Sequence, residues 1–392
     1  MLLALTQGPS APLPGAAPAS ASEATAAARP PAAEFLWVLR GSLGSAASID
    51  RVVARAREMG VRGLLVQVVG RGDACYPSAI LPRASFLGSE PAAVSDPLDA
   101  RHDPFGYLVA RAHENGIEVH AWVNCLLAWS APTPPRDPRH VLRRHPEWVA
   151  RLEDGRSMAR LTASQRRRLR VEGVFLAPAN PGVQEWLVSI VSEIAERYPV
   201  DGIHLDYIRD PIVPVGFDAT TRARFALASG VDPNRMKGLP PEQRSEIRAE
   251  LAAFHRDQIT GIVSGVRTAL DSIRPGLPLS AAVIADSAAA ERIHAQSWRA
   301  WLRAGLLDRA FPMCYAAPTQ QVMDQLVEFR RDLGADDRVV PGFAVYNASA
   351  VTTALKILGA RALGFPTLAL YSYDSLFERP SLWNDLRRQL QP

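Results

Sequence analysis

The sequence predicts an α/β fold, a single-domain (β/α)8 TIM barrel with long loops after strands 3 and 4. Short apolar segments alternate eight times with segments of helical spacing, and strict alternation favours parallel strands joined by right-handed crossovers. The chain has 392 residues, 47% hydrophobic and 21% charged, which is enough for a barrel core with insertions. A doubly wound open sheet is the alternative, but no GxGxxG sequence follows the first strand.

The elements follow one another in a regular order along the chain. Eight apolar runs are predicted to form the barrel strands: residues 35–40, 63–69, 117–124, 202–208, 277–284, 309–315, 339–346 and 367–373. Helical spacing predicts the segments between and after them: residues 49–59, 105–114, 183–197, 247–273, 297–304, 320–333, 350–358 and 380–390. The surplus over a minimal barrel lies in residues 125–182 and 210–245. Both segments follow strands, so we expect both at the C-terminal face.

The first 33 residues differ in composition from the rest. Residues 6–33 are rich in Ala and Pro and contain only two charged residues, so we predict a disordered leader or linker at 1–33 and the barrel at 34–392. The opening MLLALT lacks a basic region and is at most part of a signal peptide. Because such tethers are common in exported bacterial proteins, we expect a periplasmic, cell-envelope or secreted protein. No apolar run is long enough for stable membrane insertion.

Charge and cysteine content exclude several partners. The net charge is +4 and no nucleic-acid-binding motif is present, so we expect no nucleic-acid partner. No CxxC pair occurs among the three cysteines, and no cofactor motif is visible, so neither a metal nor a cofactor is expected. Cys75 and Cys125 follow neighbouring strands and are either free thiols or, after export, a disulfide. Residues 151–170 contain seven arginines and two acids, a solvated loop or a surface that attracts anions.

Polar and aromatic residues occupy the strand ends, where barrel enzymes bind substrate. In chain order they are Arg71 and Asp73; His120, Trp122 and Asn124; His204, Asp206, Tyr207 and Arg209; Asp286; Tyr315; Tyr346; and Tyr371, Tyr373 and Asp374. Carboxylates among Trp and Tyr side chains are typical of a sugar site, because sugar rings stack on aromatic faces while their hydroxyls need polar partners. The two histidines are expected to be hydrogen-bonded interior side chains rather than metal ligands.

Asp206 is the strongest catalytic candidate. It ends a buried apolar strand, and a carboxylate there is costly to desolvate unless it is used or paired. The alternative is a structural ion pair with Arg209 or Arg71.

Several sequence blocks occur in an order that points to one family. They are RGDA at 71–74, EVHAWVN at 118–124, HPEW at 145–148, ANPGV at 179–183, DGIHLDYIR at 201–209 and PMCY at 312–315. Together they resemble the bacterial glycosyl hydrolase-like 10 family, across essentially residues 35–390. The resemblance implies a barrel distantly related to the α-amylase and α-galactosidase barrels. It further implies hydrolysis of O-glycosidic bonds in a polysaccharide or a peptidoglycan-type cell-wall glycan.

The resemblance also bears on the catalytic residues. In related barrels an aspartate closing the fourth strand attacks or faces the anomeric carbon, and Asp206 matches that position. Family members often have a second acid directly afterwards, where this chain has Tyr207. We therefore expect the second carboxylate to be Asp286, on the neighbouring fifth strand, with Asp73 and Asp374 as alternatives. Asp286 could instead cap the following turn, and Asp73 could pair with Arg71. A catalytically silent carbohydrate-binding barrel is the alternative function.

Overall fold

Eight parallel strands close into a barrel, as the sequence predicts. The structure, a computed structural model, describes residues 32–88, 99–236, 238–379 and 381–391. The strands in these ranges are β1 (Phe35–Val38), β2 (Gly63–Val69), β3 (Glu118–Asn124), β4 (Leu127–Trp129), β5 (Val174–Phe175), β6 (Gly202–Asp206), β7 (Leu279–Ile284), β8 (Arg309–Cys314), β9 (Gly342–Ala344) and β10 (Ala369–Tyr371). Around the barrel the order is β1, β2, β3, β6, β7, β8, β9 and β10.

Helices follow the barrel strands. Those described are α1 (Ala46–Met59), α2 (Pro104–His113), α3 (Val141–Arg144), α4 (Ala163–Leu169), α5 (Pro181–Arg197), α6 (Ala219–Ser229), α7 (Pro241–Ile273), α8 (Ser287–Arg292), α9 (Trp298–Arg303), α10 (Thr319–Leu333), α11 (Ala350–Ala362), α12 (Tyr373–Phe377) and α13 (Leu382–Gln389). All eight predicted helices are present. Five others, α3, α4, α6, α8 and α12, were not predicted individually. Four of them have four to seven residues, too few to show helical spacing. The fifth, α6, has 11 residues but buries only Thr221 and Phe225, so it lacks a repeating apolar face.

Large side chains fill the barrel interior, so the barrel is a packed core and not a pore. Phe35, Trp37, Leu65, Trp122 and Phe311 form an interior cluster that is almost completely buried. A second, larger apolar layer lies between the sheet and the surrounding helices. Inward-facing aromatic rings thus set the depth at which a ligand can enter the barrel.

The two long insertions have their own structure. After β3, strands β4 and β5 pair as a small antiparallel sheet outside the barrel. Gly173 permits this pairing, because a Cβ there would lie 2.0 Å from the carbonyl oxygen of Trp129. After β6, Phe217, Phe225 and Met236 pack against Leu251 in a separate apolar cluster. The small sheet was not foreseen, since two- and three-residue strands leave no pattern in the sequence.

Three further expectations concern the ends and the cysteines. The predicted leader at 1–33 lies outside the described residues except for its last two positions, of which Ala33 is buried. Cys75, Cys125 and Cys314 are free and buried, so the possible pair between the first two is not formed. In the described part of the chain, no helix combines the length and apolarity needed to span a bilayer.

Candidate functional site

A cavity of about 1020 Å³ opens at the C-terminal ends of the barrel strands. This is the end at which enzymes with this fold bind their substrates. Its lining includes the predicted residues Arg71, Trp122, Asn124, Asp206, Tyr207, Arg209, Tyr315, Tyr346, Tyr371 and Asp374. The structure therefore brings together ten side chains that lie up to about three hundred residues apart in the sequence.

Five aromatic rings form the floor of this cavity. They belong to Trp37, Trp122, Tyr315, Tyr346 and Tyr371, and we call them the aromatic floor. The Tyr315 and Tyr371 ring centroids are 5.2 Å apart, and Trp37 lies 6.0 Å from Tyr371. Tyr346 is 51% exposed, which leaves its ring open to a ligand. Flat apolar faces with hydroxyl groups at their edges suit the mixed surface of a sugar ring.

Asp206 ends β6 and is only 7% exposed at the cavity wall. Its Oδ1 accepts a hydrogen bond from the backbone N–H of Tyr207 at 2.7 Å. Burial raises the pKa of Asp206 to about 6, although the nearby Arg209 guanidinium opposes the increase. Glu172 contributes to the increase through like-charge repulsion. A carboxyl group with this pKa changes its protonation state close to neutral pH, as a proton donor in catalysis must.

The backbone directly after Asp206 is unusual. Tyr207 has φ of 50°, in the left-handed region that residues other than glycine rarely occupy. This conformation accompanies the hydrogen bond from the Tyr207 N–H to the preceding carboxylate. Strained residues of this kind concentrate at functional sites, where the surrounding fold holds them in place.

Glu172 is a second carboxylate in the cavity, and it was missed in the sequence. It comes from the insertion after β3, two residues before β5. Arg209 Nη2 donates to Glu172 Oε1 at 2.8 Å, and the Arg209 side chain is buried while that of Glu172 is 38% exposed. The Arg209 guanidinium also lies over the Tyr207 ring at 4.7 Å. The insertion thus places a second carboxylate in the cavity that Asp206 lines.

Asn124 is fixed by several hydrogen bonds beside Asp206. The two residues are paired in the register of β3 and β6. Asn124 Nδ2 donates to the carbonyl of Gly70 at 2.9 Å, and Trp122 Nε1 donates to Asn124 Oδ1 at 2.9 Å. Gln67 Nε2 is 3.5 Å from the same oxygen. These contacts hold the Asn124 amide in one orientation.

Asp374 lies in the cavity but is engaged by the chain itself. It accepts hydrogen bonds from the Leu39 N–H at 2.9 Å and the Ser42 hydroxyl at 2.7 Å. Burial raises its pKa. These contacts tie the loop after β1 to the start of α12. Of the two alternatives to Asp286 as second carboxylate, Asp374 is the one that reaches this cavity, and Glu378 lies there as well.

The expected partner of Asp206, Asp286, lies outside the cavity. It is exposed, and it caps α8 by accepting a hydrogen bond from the Ala289 N–H at 2.8 Å. The physical reason is the length of β7, which ends at Ile284. The chain enters α8 three residues later, at Ser287, so the Asp286 carboxylate caps the helix N-terminus, which is the alternative that the sequence left open.

Asp73 also lies outside the central cavity. Its carboxylate forms a two-pronged ion pair with Arg40, at 2.5 and 2.8 Å. Its predicted partner, Arg71, contributes only a backbone N–H, at 3.0 Å. The guanidinium that pairs with Asp73 belongs to the loop after β1, and spacing in the sequence could not indicate that this loop lies next to Asp73.

Tyr373 does not reach the central cavity either. It is buried against Phe377, with ring centroids 4.9 Å apart. The prediction assumed that the alternation of β10 continued through this residue. In the structure β10 ends at Tyr371 and Ser372 caps α12, so the helical turn directs Tyr373 away from the aromatic floor.

The two histidines are interior side chains and do not line the cavity. His204 accepts a hydrogen bond from Trp37 Nε1 at 3.1 Å and contacts the Ser280 hydroxyl at 2.9 Å, and burial lowers its pKa well below the usual value. His120 lies at the other end of the barrel, with its ring edge-on to Phe35 and Nε2 at 3.5 Å from Glu118. In the described ranges, no group of three or more His, Cys, Asp and Glu side chains is arranged to hold a metal ion.

Comparison with known proteins identifies the family. The model described as glycosyl hydrolase-like 10 matches residues 45–336. The chain belongs to this family. Glycosyl hydrolase DigH of Escherichia coli K12 is 26% identical over 310 residues, which cover 70% of this chain and 59% of DigH. Glycosyl hydrolase YngK of Bacillus subtilis 168 is 23% identical over 171 residues, 43% of this chain and 29% of YngK. The chain matches less than two thirds of either relative.

Solved structures agree with this member of the glycosyl hydrolase-like 10 family in fold. The glycoside hydrolase domain of PgaB (BpsB) from Bordetella bronchiseptica has a TM-score of 0.67 at 15% identity, over 92% of this chain and 99% of that domain. A β-galactosidase from the psychrophilic Marinomonas ef1 has a TM-score of 0.58 at 14% identity, over 86% of this chain and 54% of that one. The family match and these neighbours support a glycoside hydrolase-type barrel.

Proposed function

We propose that this protein is a glycoside hydrolase that cleaves a glycosidic bond above the aromatic floor, using Asp206 and Glu172. The observation that supports this most strongly is the position of Asp206. It combines a strand-end location, burial at the wall of a large aromatic cavity and a pKa raised to about 6. Glycosidases of most families use two carboxyl groups, one protonated and one ionised.

The environments of the two carboxyl groups suggest their roles. Asp206 is buried, and its raised pKa suits a group that donates a proton to the leaving oxygen. Glu172 is partly exposed and pairs with Arg209, which suits a carboxylate that activates water or attacks the sugar. Asn124 and the aromatic floor would bind the sugar beside them. The substrate class is a polysaccharide or a cell-wall glycan, and the export expected from residues 6–33 would bring the protein to such polymers.

A screen for new reducing ends tests this activity. The native chain is incubated with amylose-type glycan, with galactosaminoglycan and with peptidoglycan strands free of stem peptides. We expect hydrolysis of at least one of them. Binding of a glycan without any new reducing ends would contradict the proposal and favour a silent carbohydrate-binding barrel.

The role of Glu172 is tested by Glu172→Gln on the glycan that is cleaved. Loss of an acid–base or nucleophilic carboxylate is expected to lower kcat by about 100-fold or more. Glu378→Gln is the matched control, because Glu378 lines the same cavity but has no contact with Arg209. Equal losses in the two variants, or loss only with Glu378→Gln, would refute the assignment of Glu172.

A further inference from the structure

A second cavity, of about 320 Å³, lies beside the central one. Ligand pockets in proteins begin at about this size. Arg71 lines both cavities, so the two meet at this side chain. The remaining wall of the second cavity includes Trp129, Arg83, Arg136 and His140, most of it from the insertion after β3. Nothing in the proposed hydrolytic reaction uses this space.

The turn that presents Arg71 is held firmly by its neighbours. The Arg71 N–H donates to Asp73 Oδ1 at 3.0 Å, and the Arg71 carbonyl accepts from His140 Nε2 at 2.7 Å. His140 Nδ1 accepts from the Leu142 N–H at 3.2 Å, which leaves the proton on Nε2. Gly72 follows with φ of 66°, and a Cβ there would meet His140 at 2.9 Å. The fold therefore fixes the position from which the Arg71 side chain extends.

Positive charge in the second cavity is not balanced by the protein. The Arg71 and Arg136 guanidinium groups have no hydrogen-bond acceptor among the described residues, and the buried Nε of Arg83 also has none. The two carboxylates in the wall are already engaged. Asp73 is paired with Arg40, and Asp137 is paired with Arg139. An anion that enters the second cavity would therefore meet guanidinium donors without acceptors, while both carboxylates of the wall are already paired.

Positive charge is also found next to the wall of the second cavity. Arg166, in the arginine-rich segment 151–170, donates to the carbonyl of Ala131 at 3.4 Å, and Ala131 is part of the cavity wall. Trp129 Nε1 is bonded to the Thr133 carbonyl at 2.7 Å, which fixes the indole ring at the same wall. An indole face beside unpaired guanidinium groups suits a sugar that bears a carboxylate.

We propose that the second cavity is a distal subsite that binds a carboxylate-bearing sugar unit of the same glycan strand, through Arg71 and Arg136. This proposal rests on the proposed function, because a strand in the central cavity must continue past Arg71 to reach the subsite. The carboxylate could belong to a uronic acid or to the lactyl ether group of an amino sugar. In either case the subsite favours glycan strands that extend beyond the sugar units bound in the central cavity.

The test measures binding in Asp206→Asn, the variant in which we expect hydrolysis to be slowest. The probes are hyaluronan oligosaccharides, which contain uronate, and peptidoglycan strands free of stem peptides, which contain lactyl carboxylates. Each is compared by calorimetry with its carboxyl-reduced, neutral form. We expect at least one carboxylated probe to bind about tenfold more tightly than its reduced form, the effect of one charge-assisted hydrogen bond. The probe that shows the difference identifies the source of the carboxylate.

Two substitutions test whether the preference for the carboxylated probe arises in the second cavity. Arg136→Gln, at a residue that lines the second cavity and not the central one, should abolish the preference for the carboxylated form without changing binding of the reduced form. Arg71→Gln should abolish the preference as well, and because Arg71 lines both cavities it is read by the ratio of the two affinities alone. Arg144→Gln is the control, since this exposed arginine belongs to the same insertion but does not line the cavity. Equal affinity for charged and neutral forms of both probes would overturn the subsite. If the native chain hydrolyses a glycan but the variant shows no such preference, the subsite alone is rejected. If the variant shows the preference but the native chain hydrolyses none of the glycans, the proposed function alone is rejected.

Discussion

Asp206 is held in the fold in a position that disfavours its charge. Its ordinary pKa of 3.8 is raised to about 6 by burial, so the folded state binds its proton more tightly than the unfolded state does. Stability is therefore reduced where Asp206 must ionise, increasingly from pH 3.8 upwards and fully above pH 6. A shift of this size corresponds to about 3 kcal/mol.

This cost predicts that Asp206→Asn is more stable than the native chain at alkaline pH. The amide keeps an acceptor for the Tyr207 N–H but has no charge to desolvate. Thermal unfolding should show a midpoint higher by a few degrees at pH 8 and no difference near pH 4. A lower midpoint for the variant at pH 8 would mean that the Asp206 carboxylate is stabilised by its neighbours.

The same pKa predicts the pH dependence of the reaction. If Asp206 acts as the proton donor, kcat/KM of the native chain should fall as pH rises through about 6, because only the protonated form is active. Initial rates at low substrate concentration from pH 4 to pH 9 measure this. A rise through pH 6 would instead show that Asp206 acts in its ionised form, as a nucleophile or base.

At the residue scale, the sequence located those side chains whose position depends on a single strand. Asp206, Asn124 and Trp122 were found because alternation along β3 and β6 indicates which residues face the barrel. Glu172 was missed and Asp73 was misplaced because their positions depend on a second element. Glu172 reaches the cavity only through the pairing of β4 with β5, and Asp73 meets Arg40 from another loop.

At the element scale, the β4–β5 sheet determines where Glu172 lies. Gly173 connects this residue to β5 and packs directly against the Trp129 carbonyl. Gly173→Ala would place a Cβ 2.0 Å from that oxygen, so the two strands must separate. We expect activity to fall at least tenfold, and unfolding free energy to fall by about 1–3 kcal/mol, as for overpacked cores.

Gly261→Ala in α7 is the matched control for this substitution. A Cβ at Gly261 meets no atom within 4 Å, and alanine is the better helix former. It should leave activity unchanged and stability equal or slightly higher, as measured by initial rates and by urea denaturation. Unchanged activity in Gly173→Ala would show that Glu172 does not depend on the small sheet for its position.

Strand ends were the hardest boundaries to predict. The eighth predicted strand extends to residue 373, whereas β10 ends at Tyr371. Hydrophobic alternation in the sequence continues past the end of β10. In the structure Ser372 caps α12, and Tyr373 is already the first residue of that helix. Similarly, β7 ends before Asp286, which left that residue to cap α8. Both misplaced candidates lie within two residues of a strand end, where local hydrogen bonds override periodicity.

At the scale of the whole molecule, the barrel was predictable because its signal repeats. Eight apolar strands alternating with amphipathic helices leave few topologies, and the closed parallel order agrees with the prediction. The two insertions were recognised from their length and place, but not their internal structure. Their short strands and helices are stabilised by pairing and packing with segments distant from them in the sequence, so local sequence patterns contain little information about them.

Release of reducing ends by two aspartate variants tests the proposed chemistry most directly. Asp206 and Asp286 both follow barrel strands, but Asp206 lines the central cavity whereas Asp286 is an exposed helix cap. On a glycan cleaved by the native chain, Asp206→Asn should lower the rate by about 100-fold or more, while Asp286→Asn should remain within about twofold of native. Native-level activity in Asp206→Asn, or an equal loss in both variants, would contradict the assignment of catalysis to Asp206.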